Sequence, residues 1–361
     1  MKIQTEPIGS IPRPQYLIEG MTACAKNELP EDELNKLFEI ALAETIRHFE
    51  ATGSPVITDG EQTKPSFATY PVHGLQTLSP DGVVIPFADG HTRQLPKLTA
   101  GPFRYQAYAG SYVQKARSLT QFPVKQAVIS PSALSLLYPQ EGINGYSRQE
   151  FINDLLNEAE KDIRSCFDNG AYNVQIDFTE ARLAVKLDPS KVLLQSFIDL
   201  NNQVLNRFTA EERKRIGVHS CPGGDRDSTH SADIDYTELL PFLFQLNACN
   251  FYLEYAAEKD KRAVLQKISE TIQPSQRVFI GVTNVLDPRI ETAEEIRDMI
   301  LEAAEVIPVE QLGTTDDCGF SPFADDTSTS RETAFAKIRA RLEGTALAER
   351  ELNELYLTSN T

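Results

Sequence analysis

Residues 147–177 read SRQEFINDLLNEAEKDIRSCFDNGAYNVQID. The first part has helical spacing and predicts a helix over Ser147–Asn169 that ends at Gly170; a short β-rich run, Tyr172–Ile176, follows at once and stops on Asp177. A helix feeding directly into a brief strand with a polar residue at its end is one unit of a parallel α/β sheet.

Working outward, the same unit recurs. Candidate strands are Ile3–Ile8, Pro55–Thr58, Lys125–Ile129, Tyr172–Ile176, Ile216–His219, Asn250–Glu254, Val278–Val282 and Glu310–Gly313. Between them lie predicted helices at Pro30–Thr52, with an acidic start, and at Leu193–Phe208, Tyr236–Asn247, Lys259–Ile272 and Ala293–Val306. Eight strands with intervening helices predict an α/β fold of the (β/α)8 TIM-barrel type, one catalytic domain over residues 1–361. The Gly- and Pro-rich segment 77–105 breaks the rhythm after the second strand. It reads as an inserted β-hairpin or lid, with a plain surface excursion as the alternative. Residues 330–355 predict a closing helix.

Composition narrows the function classes. Of 361 residues 41% are hydrophobic and 24% charged, enough for a substantial core. A net charge of -17 argues against a nucleic-acid or anionic-membrane partner, which would need clustered Lys and Arg. No apolar run is long enough to span a membrane, and Met1 to Gln15 does not resemble a signal peptide, so the expected location is cytoplasmic. Five scattered cysteines do not form a disulfide framework and leave thiolates free as ligands. A homodimer is compatible with the sequence.

In a barrel, chemistry collects just past the C-terminal ends of the strands. Those positions hold Ile8-Gly9-Ser10, Asp59-Gly60-Glu61, Asp177, His219-Ser220-Cys221, Glu254 and Asp316-Asp317-Cys318-Gly319. His219 and Cys221, two residues apart in an extended segment, point to one side and can reach one ion. Taken alone, they also read as a core histidine and a small buried hydrophobe. Cys318 sits in an acidic, polar run where a packing cysteine is out of place, and Glu254 ends an otherwise apolar strand where a carboxylate needs a cation. Together they predict a Zn²⁺ site, since sulfur ligands disfavour Mg²⁺ and Ca²⁺. A zinc neutralised by two thiolates activates water poorly but can hold an incoming thiol as thiolate, so alkyl transfer to sulfur fits better than hydrolysis.

Ile8-Gly9-Ser10, Asp59-Gly60-Glu61, Gln175-Ile176-Asp177, His219-x-Cys221, Glu254 and Asp317-Cys318-Gly319 occur in an order that resembles the catalytic domain of cobalamin-independent methionine synthase. The resemblance implies zinc held by His219, Cys221, Glu254 and Cys318, homocysteine bound through its sulfur, and its amino-acid end held around Ile8, Gly9, Ser10, Glu61 and Asp177. The departures fall on the methyl-donor side. There is no Trp, with Leu137-Tyr138 near the place of the family's indole; Leu286 stands where the family has a histidine; and Phe178 replaces a carboxylate, with Glu180 two positions on. Methylfolate, a methylated corrinoid or another methyl compound are the donors considered. Rival readings are an alkyltransferase for another thiol such as coenzyme M, a non-catalytic zinc-binding barrel, and a uroporphyrinogen-type decarboxylase.

The remaining polar residues have plainer readings. The loop from Gly223 to His230 is expected to be a solvated surface loop, with closure over substrate as the alternative. Ser321 to Arg331 reads either as an anion-binding loop or as a helix cap through Ser328 or Ser330. His73 and His91 are candidates for the donor pocket. Cys24, Cys166 and Cys249 are expected to be packing residues.

Overall fold

The structure, a computed structural model, describes residues 2–359. Seven parallel strands form its sheet: β1 (Gln4–Thr5), β2 (Gln126–Ile129), β3 (Val174–Asp177), β4 (Ile216–Ser220), β5 (Asn250–Leu253), β6 (Arg277–Gly281) and β7 (Leu312–Thr315). They are hydrogen-bonded in the order β1-β7-β6-β5-β4-β3-β2. Strands consecutive in the chain are thus neighbours from β2 onward, and the last returns to the first, as a barrel requires.

The remaining position holds one paired residue. Ile57 bridges Val124 in parallel, donating to Pro123 O at 2.9 Å and accepting from Lys125 N at 2.8 Å. Thr58 Oγ1 then donates to Gly9 O at 2.7 Å, which ties this segment to the chain leaving β1. The expected strand Pro55–Thr58 is therefore reduced to a bridge. Pro55 has no N–H to give a ladder, and the Val56 carbonyl is taken by Ser54 Oγ at 2.6 Å.

Helices cover the outside. The helix Arg148–Asp168 opens with a capping box, Glu150 N donating to Ser147 Oγ at 3.2 Å and Ser147 N to Glu150 Oε2 at 2.7 Å. The helix expected over Tyr236–Asn247 is instead a 3₁₀ turn, Tyr236–Glu238, and one short turn, Leu240–Leu243. Pro241, unable to donate within a helix, accounts for the break. A helix over Arg331–Ser359 closes the chain. Among the described residues no helix is long and apolar enough to cross a membrane.

The barrel interior is filled rather than open. Tyr252 of β5 stacks on Phe279 of β6 with ring centroids 4.7 Å apart. Its hydroxyl donates to Glu6 at 2.6 Å, and Lys125 lies 3.4 Å over its ring while donating to Pro7 O at 2.7 Å. Burial pushes the Lys125 amine down to about 8, with the Glu6 carboxylate opposing that shift. This plug leaves the opposite end of the barrel as the place for a pocket.

Segment 77–105 contains two small antiparallel ladders, Leu78–Ser79 with Lys97–Leu98 and Val84–Pro86 with Thr92–Gln94. Its tip leans onto the loop after β4, with Ala88 N donating to Thr229 O at 2.9 Å and Asp89 N to Ser228 Oγ at 3.2 Å.

Candidate metal centre

His219, Cys221 and Cys318 offer ligand atoms that all lie within 4.8 Å of one another. β4 carries the first, the turn beyond it the second, and the loop after β7 the third. His219 Nδ1 faces Tyr252 O at 3.0 Å, so that nitrogen holds the proton and Nε2 turns its lone pair inward, buried and without a hydrogen-bond partner. The two sulfurs are 3.1 Å apart, too far for a disulfide, which needs ~2.05 Å. Hydrogen bonding from Cys221 holds the Cys318 thiol well below its usual range, while the same contact pushes Cys221 up. Two sulfurs and one imidazole nitrogen thus converge on one point. This donor set fits a metal ion.

Glu254, expected as a fourth ligand, stands outside that group. Its Oε2 lies 3.5 Å from Arg182 Nη2, and Arg182 also pairs with Glu258 and stacks 3.8 Å over the Tyr236 ring. A buried carboxylate needs a cation, and here the arginine is the nearest one. Asp317, beside Cys318, accepts from the backbone N–H groups of Tyr255, Ala256 and Ala257 at 2.8, 2.9 and 2.8 Å. It therefore locks the turn that follows Glu254 to the loop that carries Cys318.

The centre opens into a cavity of about 60 Å³ lined by, among others, Ile8, Ser10, Glu61, Asp177, His219 and Cys318. Gly9, expected with Ile8 and Ser10, turns its carbonyl to Thr58 instead. Glu61 adopts φ +55°, a left-handed conformation costly for a residue with a side chain. Arg13 holds it there, donating to Glu61 O at 2.6 Å and Lys64 O at 2.8 Å, and Lys64 pairs with the Glu61 carboxylate at 3.0 Å. Asp177 accepts from Gln175 Nε2 at 2.7 Å. Burial raises Asp177 to about 6, against the pull of His219. Gln175, two residues before Asp177 on β3, shares its inward face and lines the same cavity.

The loop Gly223 to His230 is not a solvated surface loop. His230 is 6% exposed and lines the cavity, folded back so closely that a Cβ on Gly223 would lie 1.9 Å from its Nε2. His91 stays outside the cavity, stacked 4.5 Å from Phe87 and 2.9 Å from Asp225, and His73 is exposed. Ser330 caps the last helix, accepting from Thr333 N at 3.0 Å. Cys166 is buried in the core as expected, whereas Cys24 and Cys249 are only partly covered. Arg93, Phe67, Phe87 and Phe323 also line the cavity. They come from the inserted segment and distant loops, and no local pattern marks them.

The family described as cobalamin-independent synthase, catalytic domain, matches residues 3–339. The chain belongs to the cobalamin-independent methionine synthase catalytic-domain family. A methionine synthase from Pyrococcus horikoshii is 20% identical over 97% of this chain and 94% of its own. A 5-methyltetrahydropteroyltriglutamate–homocysteine methyltransferase from Nitratidesulfovibrio vulgaris is 23% identical over 94% of this chain but only 42% of its own. Among solved structures, a B12-independent methionine synthase from Shewanella sp. W3-18-1, in complex with selenomethionine, superposes with a TM-score of 0.76 at 20% identity, covering 98% of this chain and all of that one. The methionine synthase-like barrel expected from the motifs is thus the fold of this family member.

Proposed function

We infer that the protein transfers a methyl group to the thiol of homocysteine, forming methionine, and that residues 1–361 act as one catalytic barrel. The observation that carries this reading is the His219–Cys221–Cys318 cluster opening onto a cavity that also holds Ser10, Glu61 and Asp177. The relatives' names point the same way.

His219, Cys221 and Cys318 would hold a zinc ion, with Glu254 as its fourth ligand. Glu254 Oε2 supports that role: it is buried and makes no hydrogen bond, and the Arg182 guanidinium 3.5 Å away is shared with Glu258. Zinc there would supply a Lewis acid that favours the thiolate form of the substrate sulfur at neutral pH. The chain's own residues do the rest. Asp177 and Glu61 take the ammonium group of the amino acid. Ser10, with the backbone around Ile8 and Gly9, takes its carboxylate. Tyr252 O fixes the His219 tautomer. The hairpin within 77–105 serves as the lid, its Arg93 clamped to Asp225 and Asp325 across the mouth. The five free thiols suit a reducing, cytoplasmic setting.

The test is methionine formation by the zinc-loaded protein, with homocysteine and coenzyme M as competing acceptors against a panel of methyl donors. Methylation of homocysteine supports the reading. Exclusive methylation of coenzyme M, or none of either thiol with any donor, refutes it.

A further inference from the structure

A second chamber of about 360 Å³ adjoins the metal-side cavity and shares Phe67, Ile85, Arg93, Thr179, His230 and Phe323 with it. Its wall is mostly apolar, with Ala133, Leu136 and Leu183 lining it together with the Phe67 and Phe323 rings. Into this wall is set one acid. Glu180 is 6% exposed; its Oε1 accepts from Ser130 Oγ at 2.6 Å and from Ser132, while Oε2 is buried with no hydrogen-bond partner.

The charges around the joined cavities decide what this acid awaits. Arg93 is matched by Asp225 and Asp325, Lys64 by Glu61, Lys186 by Asp233 at 3.0 Å, and Arg182 by Glu258 and Glu254. His230 adds no positive charge near neutral pH, since burial, then Lys186 and Arg182, push it down to about 4. Among the described residues lining these cavities, Asp177 and Glu180 are left without an ion pair. Burial accordingly pushes Glu180 up to about 7. A buried carboxyl lacking a cation, beside aromatic faces, is the environment that a desolvated cation prefers over water.

Asp177 has its cation in the ammonium group of the thiol substrate, so this step rests on the thiol-methylation reading above. We propose that the second chamber receives the methyl donor as an onium cation, a sulfonium or quaternary ammonium compound, held by Glu180 and the Phe67 and Phe323 rings. The transfer balances without an added proton or co-reactant. A lone pair on the thiolate sulfur forms the new S–C bond, the C–S⁺ or C–N⁺ bond breaks with its electron pair staying on the departing atom, and a neutral sulfide or tertiary amine leaves.

Calorimetry on the zinc-loaded full chain with homocysteine present tests this with choline and its neutral isostere, 3,3-dimethylbutan-1-ol. Choline is expected to bind at least about tenfold more tightly, and Glu180→Gln to remove about tenfold of its affinity. Equal binding of the two probes, or an unchanged choline affinity in the variant, overturns the proposal. Methionine formed from trimethylsulfonium with release of dimethyl sulfide, or from tetramethylammonium with release of trimethylamine, supports it and tells the two sources apart; none from either overturns it. X-ray absorption of zinc in the same Glu180→Gln sample keeps the two readings separate. If homocysteine leaves the metal unchanged there and in the parent protein, thiol binding itself fails; if the metal responds while onium preference is missing, only the donor assignment fails.

Discussion

A Cβ placed on Gly319 would lie 2.2 Å from Ser10 Oγ. The loop after β7 and the loop after β1 therefore touch only because residue 319 is glycine, and the contact is sealed by Phe320 N donating to Ser10 O at 3.0 Å and Ser321 N to Ser10 Oγ at 3.1 Å. Cys318, of the candidate metal centre, and Ser10, in the wall of the cavity it opens onto, are held in register by this approach.

Gly319→Ala should push Ser10 aside. The expected cost is about 1–3 kcal/mol in stability, with KM for homocysteine raised and zinc stoichiometry retained. Denaturant unfolding together with steady-state kinetics checks it; an unchanged KM would mean that Ser10 takes no part in holding the substrate.

Removing either sulfur should empty the centre. Cys221→Ser and Cys318→Ser are each expected to lose zinc on gel filtration in mild chelator, while the parent retains one ion per chain. Metal analysis of the three proteins reads this directly, and stoichiometric zinc in both variants would refute the ligand assignment.

Arg93→Ala should loosen the hairpin. Asp225 is fully buried beneath the guanidinium, which reaches it at 2.5 Å and lies 4.3 Å over the Phe323 ring. Losing this charged contact should cost the segment ~1–3 kcal/mol of local stability, speeding proteolysis between residues 78 and 98 and leaving zinc content unchanged. Limited proteolysis of parent and variant decides the point.

These residues show what the chain discloses along its length and what it withholds. His219 and Cys221 were legible because a strand end places them together, and Cys318 because a cysteine among acids is out of character. The alternation seen at residues 147–177, repeated over eight candidate strands with intervening helices, was enough for the barrel. Pairing was harder to read: Ser54 occupies the Val56 carbonyl and leaves one bridge where a strand was expected. His230 looked solvated because its neighbours in sequence are polar, yet its neighbours in space are Gly223 and the Phe87 ring, 5.6 Å away. Glu254 was legible as a buried acid, but its partner Arg182 lies 72 residues earlier, in the helix Glu180–Leu187, and only folding brings them together.

Glu180 gives a pH signature with a definite sign. Burial raises its carboxyl from 4.5 to about 7, with Ser130 and Ser132 pulling partly back. Between these values the unfolded chain has released the proton that the folded one keeps. Stability from this group is complete below about pH 4.5 and declines as pH rises toward 7, by up to ~3 kcal/mol. Glu180→Gln should remove that decline, so the variant gains on the parent across this window. Parallel unfolding curves at pH 5 and 7 measure it; a constant difference between the two proteins would contradict the burial argument.

The central claim is that the thiol substrate joins a metal already held by two cysteine sulfurs. X-ray absorption at the zinc edge, with and without homocysteine, tests it most directly. The sulfur shell should rise from two to three atoms as an oxygen is lost, the two resident sulfurs being Cys221 and Cys318. A sulfur shell that stays the same at saturating homocysteine, in protein carrying a full complement of zinc, would contradict the account.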